Sequence, residues 1–191
     1  MSFAARSLYD TTGRRLYLTP SERSRFLDAA ERQPPEWRTF AKFLVLTGCR
    51  ISEALSVRAE HFDFEDNRVA IETLKQRRRG VWRRIPLPES FLAELDQVHR
   101  LQENGALGGR VWPVGRTTAY ERIKDMMAVA EIVGPQACPK GLRHAFGVHA
   151  LLNGVPLTCL QRWMGHARLE TTQTYLAVTG PEEYVVASLM W

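Results

Sequence analysis

Lys140-Gly-Leu-Arg143-His144, then Gly165-His166, then Thr171-Thr172 and Tyr175 set cations, imidazoles and one phenol in a fixed order late in this chain. Far upstream, Thr47-Gly48-Cys49-Arg50-Ile51-Ser52-Glu53 contributes another arginine. The set suits a tyrosine attacking a phosphodiester. Charge gathers on the non-bridging oxygens during such an attack, and aimed donors must meet it. Arginine fits the task, because its planar fork donates two parallel hydrogen bonds and stays charged at physiological pH. Arg50 and Arg143 are the candidates for this clamp. A phenol, with an ordinary pKa near ~10, is a weak nucleophile without a base or a positive charge beside it. The leaving oxygen needs a proton, which a lysine can supply. A histidine can shuttle protons or donate to phosphate. Lys75, Lys140, His144, His166 and Tyr175 are available for these roles. No cluster of Asp and Glu is spaced to hold Mg²⁺, so the expected reaction uses no metal and no cofactor.

These residues need elements to hold them. With 191 residues, the chain is long enough for one domain with a real core. Thr19-Pro20-Ser21-Glu22 is a helix-start signal, with Thr as N-cap, Pro at the first helical position and Glu closing a capping box. Pro34-Pro35 breaks that helix, a second runs to about Leu46, Gly48 ends it, and Arg50 opens a short third. Between Phe62 and Leu87 the period changes to two. Val69, Ile71 and Thr73 alternate with Ala70 and Glu72, and Val81, Arg83 and Ile85 alternate with Trp82 and Arg84. That pattern predicts a three-stranded antiparallel sheet. Helices are expected from Pro88 to about His99, over Thr117–Val133 (with Tyr120, Ile123, Met127 and Ala130 on one side), Leu142–Asn153, Pro156–Met164, Thr171–Ala177 and Pro181–Leu189. The glycine-rich stretch Asn104–Gly109 lacks the pattern of a Walker phosphate loop. The fold class is therefore α+β: a mostly helical domain with a small three-stranded antiparallel sheet at one edge. Residues 1–18 are expected to form an N-terminal arm, 19–180 the catalytic domain, and 181–191 a C-terminal helix or tail.

Composition agrees with a soluble globular domain: 45% hydrophobic and 25% charged residues. No apolar run is long enough to cross a bilayer, and no secretory leader is visible. Three cysteines without close spacing fit reduced thiols in a cytoplasmic protein. The chain's net charge of +5 is modest, but its distribution is uneven. From Arg68 to Arg84, seven cations stand against the single acid Glu72. Arg77, Arg78, Arg79, Arg83 and Arg84 are read as contacts to a nucleic-acid backbone, which position without reading sequence.

Taken together, Thr47-Gly48-Cys49-Arg50, Lys75 on the hairpin, Lys140-Gly-Leu-Arg143-His144, and Gly165-His166 followed nine residues on by Tyr175 resemble the tyrosine recombinase (phage-integrase) family. The resemblance covers roughly residues 19–180. It implies site-specific cutting and rejoining of double-stranded DNA through a 3′-phosphotyrosyl bond, with integration, excision or inversion as outcomes. By the same resemblance, Arg50 and Arg143 are the clamp arginines, Lys75 the acid for the 5′-oxygen, His166 a phosphate donor and Tyr175 the nucleophile. A homo-oligomer on DNA, a tetramer holding two duplexes, is also implied. Two departures stand out. The position three before Arg143 is most often histidine in the family, and here it is Lys140. Family members also usually carry a separate N-terminal domain that clasps the other face of DNA, and there is no room for one before Thr19. The chain thus resembles a minimal recombinase or a catalytic fragment, and an accessory DNA-binding protein could supply the clasp.

Other readings compete with these. A type IB topoisomerase shares the chemistry, and a DNA-binding regulator without turnover would share the binding. Glu53 reads as a structural partner for an arginine. His144 follows Arg143 directly on a helix, so the two point about 100° apart, and it reads as a hydrogen-bonded histidine that orients the site. Tyr184 is the rival nucleophile, but its place on an amphipathic terminal helix favours packing on the core or on a neighbouring protomer. Trp163 reads as packing.

Overall fold

The structure, a computed structural model, describes residues 8–74, 80–104, 109–177, 181–188 and 190. Helix α1 (Pro20–Glu31) starts as its sequence signal requires. The Thr19 hydroxyl accepts from the Glu22 N–H at 3.2 Å, and the Glu22 carboxylate accepts from the Thr19 N–H at 2.9 Å. Helix α2 (Pro35–Thr47) packs against it and buries Phe40, Phe43 and Leu44. Gly48 ends α2 in the left-handed region, at φ 58°, and a Cβ there would stand 2.3 Å from the Phe146 ring. Only glycine meets both demands. The next residue but one, Arg50, caps α3 (Ile51–Ala54).

A 3₁₀ turn (Ala59–His61) leads into the antiparallel sheet, in the order β1 (Phe62–Asp63), β2 (Arg68–Glu72), β3 (Trp82–Pro86). Val69 pairs with Ile85 and Ile71 with Arg83, so one face turns these four inward. Arg68, Trp82, Arg84 and Pro86 face outward.

Helices α4 (Glu89–His99), α5 (Leu101–Asn104) and α6 (Arg116–Val129) complete the larger core with α1 and α2. Its centre is aromatic: the Phe43 and Trp112 rings lie 4.9 Å apart, and Phe40 meets the other side of Trp112 at 5.4 Å. Helix α7 (Pro139–Leu152) closes this core from one side and faces a second, smaller cluster with the other. That cluster contains Leu8, Tyr17, Val148, Leu160, Met164 and Tyr175. It unites α7 with α8 (Leu157–Met164) and with the 3₁₀ turn Thr174–Ala177, which continues the short α9 (Glu170–Gln173). The last helix, α10 (Pro181–Ser188), lies against α7. No described helix is long and apolar enough to cross a membrane.

Two expectations need correction. Helix α6 ends at Val129, not Val133. Glu131 adopts φ 54°, and the Ile132 and Glu131 N–H groups bond back to the carbonyls of Met127 and Ala128. This is a left-handed helix stop built on a glutamate, whereas the sequence signal nearby is Gly134. Tyr120 lies outside the buried stripe of α6, which is Ala119, Ile123, Met126 and Met127. The described part of the expected N-terminal arm, residues 8–18, folds back on itself. Tyr9 bridges to Arg15 across a turn whose Asp10 carboxylate accepts from the Thr12 and Arg14 N–H groups, each at 2.9 Å. This fold-back seats Leu8 and Tyr17 in the smaller core.

Candidate active site

Helix α7 carries most of the site. Pro139 occupies its first position, and Gly141 brings it against the Gln136 carbonyl, where a Cβ would stand 1.9 Å from the oxygen. That close seating fixes the register of Arg143 two residues on. Arg143 is buried, and its guanidinium donates to the Gly48 carbonyl and the Met164 carbonyl, each at 2.7 Å. One bond thus ties it to the end of α2 and the other to the end of α8. Its third contact is His166 Nε2, at 3.1 Å. Burial lowers the Arg143 pKa to about 10, with the nearby Arg50 charge acting in the same direction. Tyr175 and Glu53 oppose the shift, and the group stays cationic at neutral pH.

A guanidinium can only donate, so the bond from Arg143 makes His166 Nε2 an acceptor. The ring proton then sits on Nδ1, which faces the Thr172 hydroxyl at 2.9 Å. Thr172 is fully buried, so it holds the imidazole from behind. The His166 ring stacks on Tyr175, with centroids 6.5 Å apart and planes within 3° of parallel. Tyr175 is itself 2% exposed. Its ring lies over Gly147, where a Cβ would come within 2.4 Å of Cε1. Its hydroxyl lies 3.3 Å from His144 Nδ1.

Arg50 reaches the same place from α3. Its side chain is partly exposed, and it donates to Glu53 Oε1 at 2.8 Å. Glu53 is wholly buried and saturated, because Oε2 accepts from the Arg50 N–H at 2.9 Å and from Arg83 at 2.6 Å. Burial pushes the Glu53 carboxyl up. The Arg83 charge, the Arg50 N–H and the Arg50 charge outweigh it and hold the group below the usual carboxylate range.

Arg83 is the clear correction to the sequence reading. It is no backbone contact for nucleic acid: its side chain is 5% exposed. Every face of its guanidinium is engaged, by Glu53, by the Thr73 hydroxyl at 2.9 Å and by the Trp163 carbonyl at 2.7 Å. Its place beside Ile85 in the strand alternation already pointed inward. Gly165 permits this joint, because a Cβ there would stand 2.9 Å from Thr73 Oγ1. Arg84, the next residue, does face solvent. With Arg68 and Arg162 it lines a groove of about 710 Å³ between β3 and α8, with His166 also in its wall.

The structure therefore brings together Arg50, Glu53, Arg143, His144, His166 and Tyr175. Lys140 is exposed on the first turn of α7, one turn from His144. Lys75, Arg77, Arg78 and Arg79 lie outside the described residues. Trp163 packs against the larger core, as expected. Tyr184, expected to pack on the core or on a neighbouring protomer, is 71% exposed on α10 and so does not pack on the core of this chain. The sequence reading missed Thr172 as the support of His166, and Gly147 as the space for Tyr175. A glycine one turn beyond Arg143 inside a helix was the available signal. Among the described residues, no group of three or more His, Cys, Asp or Glu stands close enough to hold a metal ion. All three cysteines are free, and burial pushes the Cys49 thiol up to about 11.

Residues 16–181 match the Phage integrase family. The chain belongs to that family. Among its relatives, the tyrosine recombinase XerD of Pseudomonas aeruginosa is 32% identical over 148 residues, covering 72% of this chain and 48% of that protein. The tyrosine recombinase XerA of Pyrococcus furiosus is 27% identical over 168 residues, covering 85% of this chain and 57% of its own. The chain thus spans about half the length of these relatives. The crystal structure of XerA recombinase superposes with a TM-score of 0.75 at 21% identity, over 91% of this chain and 64% of that one. The family fold accounts for the α+β architecture seen here, with helices around a core and the three-stranded sheet at its edge.

Proposed function

We propose that this chain cuts and rejoins double-stranded DNA at specific sites, through a 3′-phosphotyrosyl bond to Tyr175. One observation carries the reading: an anchored Arg143 contacts His166, the His166 ring lies parallel to that of the buried Tyr175, and Arg50 is close enough for its charge to act on Arg143. Arg50 and Arg143 take the two non-bridging oxygens, where donors set in place beforehand act most strongly. His166 supports this clamp, with Nε2 accepting from Arg143 and Nδ1–H held on Thr172, and it donates to the phosphate through Nε2 once the Arg143 contact is released and the ring is protonated. Lys140 adds a donor at the mouth. Lys75 is assigned as the acid for the 5′-oxygen on its sequence pattern. With Tyr175 buried, attack requires the segment from α9 through the 3₁₀ turn to shift as DNA arrives. The relatives' recombinase activity supports the reading, as does the family's fold. The chain acts within a homo-oligomer on DNA, a tetramer, with residues 181–191 available to a neighbouring protomer. An accessory protein that clasps the far face of DNA would complete the grip.

The test begins with selection of bound duplexes from a random pool, which supplies a site. A nicked duplex bearing that site should then trap a covalent protein–DNA adduct that survives denaturation and disappears with protease. No adduct on any selected duplex would end the proposal. Relaxation of supercoiled plasmid lacking the site would move the reading to a topoisomerase.

Two variants probe the assignment of residues. Gly147→Ala should slow adduct formation about 100-fold, the scale expected for roughly 1 Å of misplacement at a reacting group. DNA binding in a gel shift should change little, and an unchanged rate would show that Tyr175 does not need this seat. Arg84→Ala should weaken binding equally across sequences and lower the slope of log affinity against log salt by about 0.9, the value for one lost phosphate contact on duplex DNA. An unchanged slope would take Arg84 off the DNA path.

A further inference from the structure

Tyr175 must lose a proton to attack, and few of the groups around it can accept one. The His166 ring lies parallel to the tyrosine ring at a centroid distance of 6.5 Å, and its two nitrogens are engaged by Arg143 and Thr172. Arg143 stays cationic at neutral pH and a guanidinium offers no lone pair, and Lys140 is exposed on the first turn of α7. His144 differs. It lies one residue beyond Arg143 on the same helix, which turns it away from the phosphate clamp and toward the tyrosine. Its Nδ1 lies 3.3 Å from the Tyr175 hydroxyl, and its ring is tilted 53° to the phenol at a centroid distance of 6.1 Å. With the ring proton on Nε2, Nδ1 presents its lone pair to the phenol. The distance is on the long side, as is common before substrate tightens such a contact.

We propose that His144 is the general base that takes the Tyr175 proton in cleavage and returns it in ligation. The assignment rests on Tyr175 being the nucleophile. In cleavage the O–H bond of Tyr175 breaks, its proton passes to His144 Nδ1, and the phenolic oxygen forms a bond to phosphorus. The bond from phosphorus to the 5′-oxygen breaks, and that oxygen takes a proton from the acid. In ligation the incoming 5′-hydroxyl returns its proton to the deprotonated acid as its oxygen bonds to phosphorus, the bond from phosphorus to the Tyr175 oxygen breaks, and the His144 imidazolium protonates that oxygen as it leaves. Helix α7 thereby serves both ends of the reaction: Arg143 for the phosphate, His144 for the nucleophile and Gly147 for the space the nucleophile occupies. Among the described residues, charged and titratable neighbours of the pair include Lys140 and Arg143 on α7, and His166 beside the tyrosine ring.

The experiment is single-turnover adduct formation on the selected nicked duplex, followed against pH for the wild type, His144→Gln, His144→Ala and Tyr175→Phe. His144→Gln keeps a hydrogen-bonding group but no base. It should react about 10²–10⁴-fold more slowly, the usual worth of a positioned base. Its rate should keep rising with pH where the wild type levels off, because hydroxide then has to remove the proton. His144→Ala should regain rate on addition of imidazole, in proportion to the free base, a response that general loosening of the fold would not give. A second substrate, with sulfur in place of the bridging 5′-oxygen, has a leaving group that needs no acid. It should leave the His144 defect in place. A His144→Gln rate and profile like the wild type overturns the proposal, and so does a slow variant with the wild-type profile and no imidazole response. In both cases loss of adduct in Tyr175→Phe would leave the tyrosine assignment standing. Adduct persisting in Tyr175→Phe removes the assignment itself.

Discussion

Tyr175→Phe is expected to bind DNA like the wild type and to form no covalent adduct with a nicked duplex. The variant removes one oxygen and leaves everything that positions the ring. Phenylalanine still fits over Gly147 and still presents a face for His166 to stack on. What disappears is the hydroxyl facing His144. A lost hydrogen bond of that kind is worth about 1 kcal/mol of stability, too little to unfold a domain. The phosphate clamp is untouched, because Arg143 is held by backbone carbonyls and Arg50 by Glu53. Affinity in a gel shift should therefore stay within about twofold, well inside the tenfold that 1.4 kcal/mol represents. Adduct should fall below detection, since no other oxygen nucleophile occupies that position. Tyr184 is the alternative to watch. It is exposed on α10, so adduct that persists in Tyr175→Phe and vanishes in Tyr184→Phe would transfer the role to it.

Much of this arrangement was legible in the residues. Capping chemistry placed α1, a left-handed glycine ended α2 at Gly48, and period-two alternation gave the sheet. These are local rules, and local rules survive packing. The misreadings came where tertiary contact overrode them. Nothing in the sequence of residues 8–18 repeats with a helical or strand period, yet Leu8 and Tyr17 are buried because α7 and α8 leave a surface for them. Helix α6 stops on a glutamate in a conformation that usually belongs to glycine. Arg83 was grouped with its neighbours by charge, although its alternation with Arg84 already split the two between core and solvent. In the site, the resemblance located Arg50, Arg143, His166 and Tyr175, which the fold gathers from four separate stretches. The partners that hold them are harder to read. Gly48 O and Met164 O, which hold Arg143, are backbone atoms, and no residue type announces them.

The largest stability effect is expected at Glu53. Its carboxylate is fully buried between two guanidinium groups and accepts three hydrogen bonds. Glu53→Gln keeps the shape and removes the charge. It leaves Arg83 cationic in a site that is 5% exposed, with no anion to answer it. Breaking a buried pair by removing one partner typically costs about 3–5 kcal/mol, because the other charge stays uncompensated. The variant should therefore unfold at markedly lower urea, with an unchanged slope. It should also lose cleavage, since the side chain that aims Arg50 is the one altered. Acid provides an internal control. The carboxyl is held below its ordinary value in the folded state, so its contribution is fully present above the unfolded value, about 4.3. That contribution is lost as pH falls through the lower, folded value. The gap in stability between wild type and Glu53→Gln should accordingly be widest near neutrality and close as the solution becomes acidic. A gap that stays constant with pH, or one under about 1 kcal/mol (the range of an exposed ion pair), would mean that the Arg50–Glu53–Arg83 joint is not the buried brace described above.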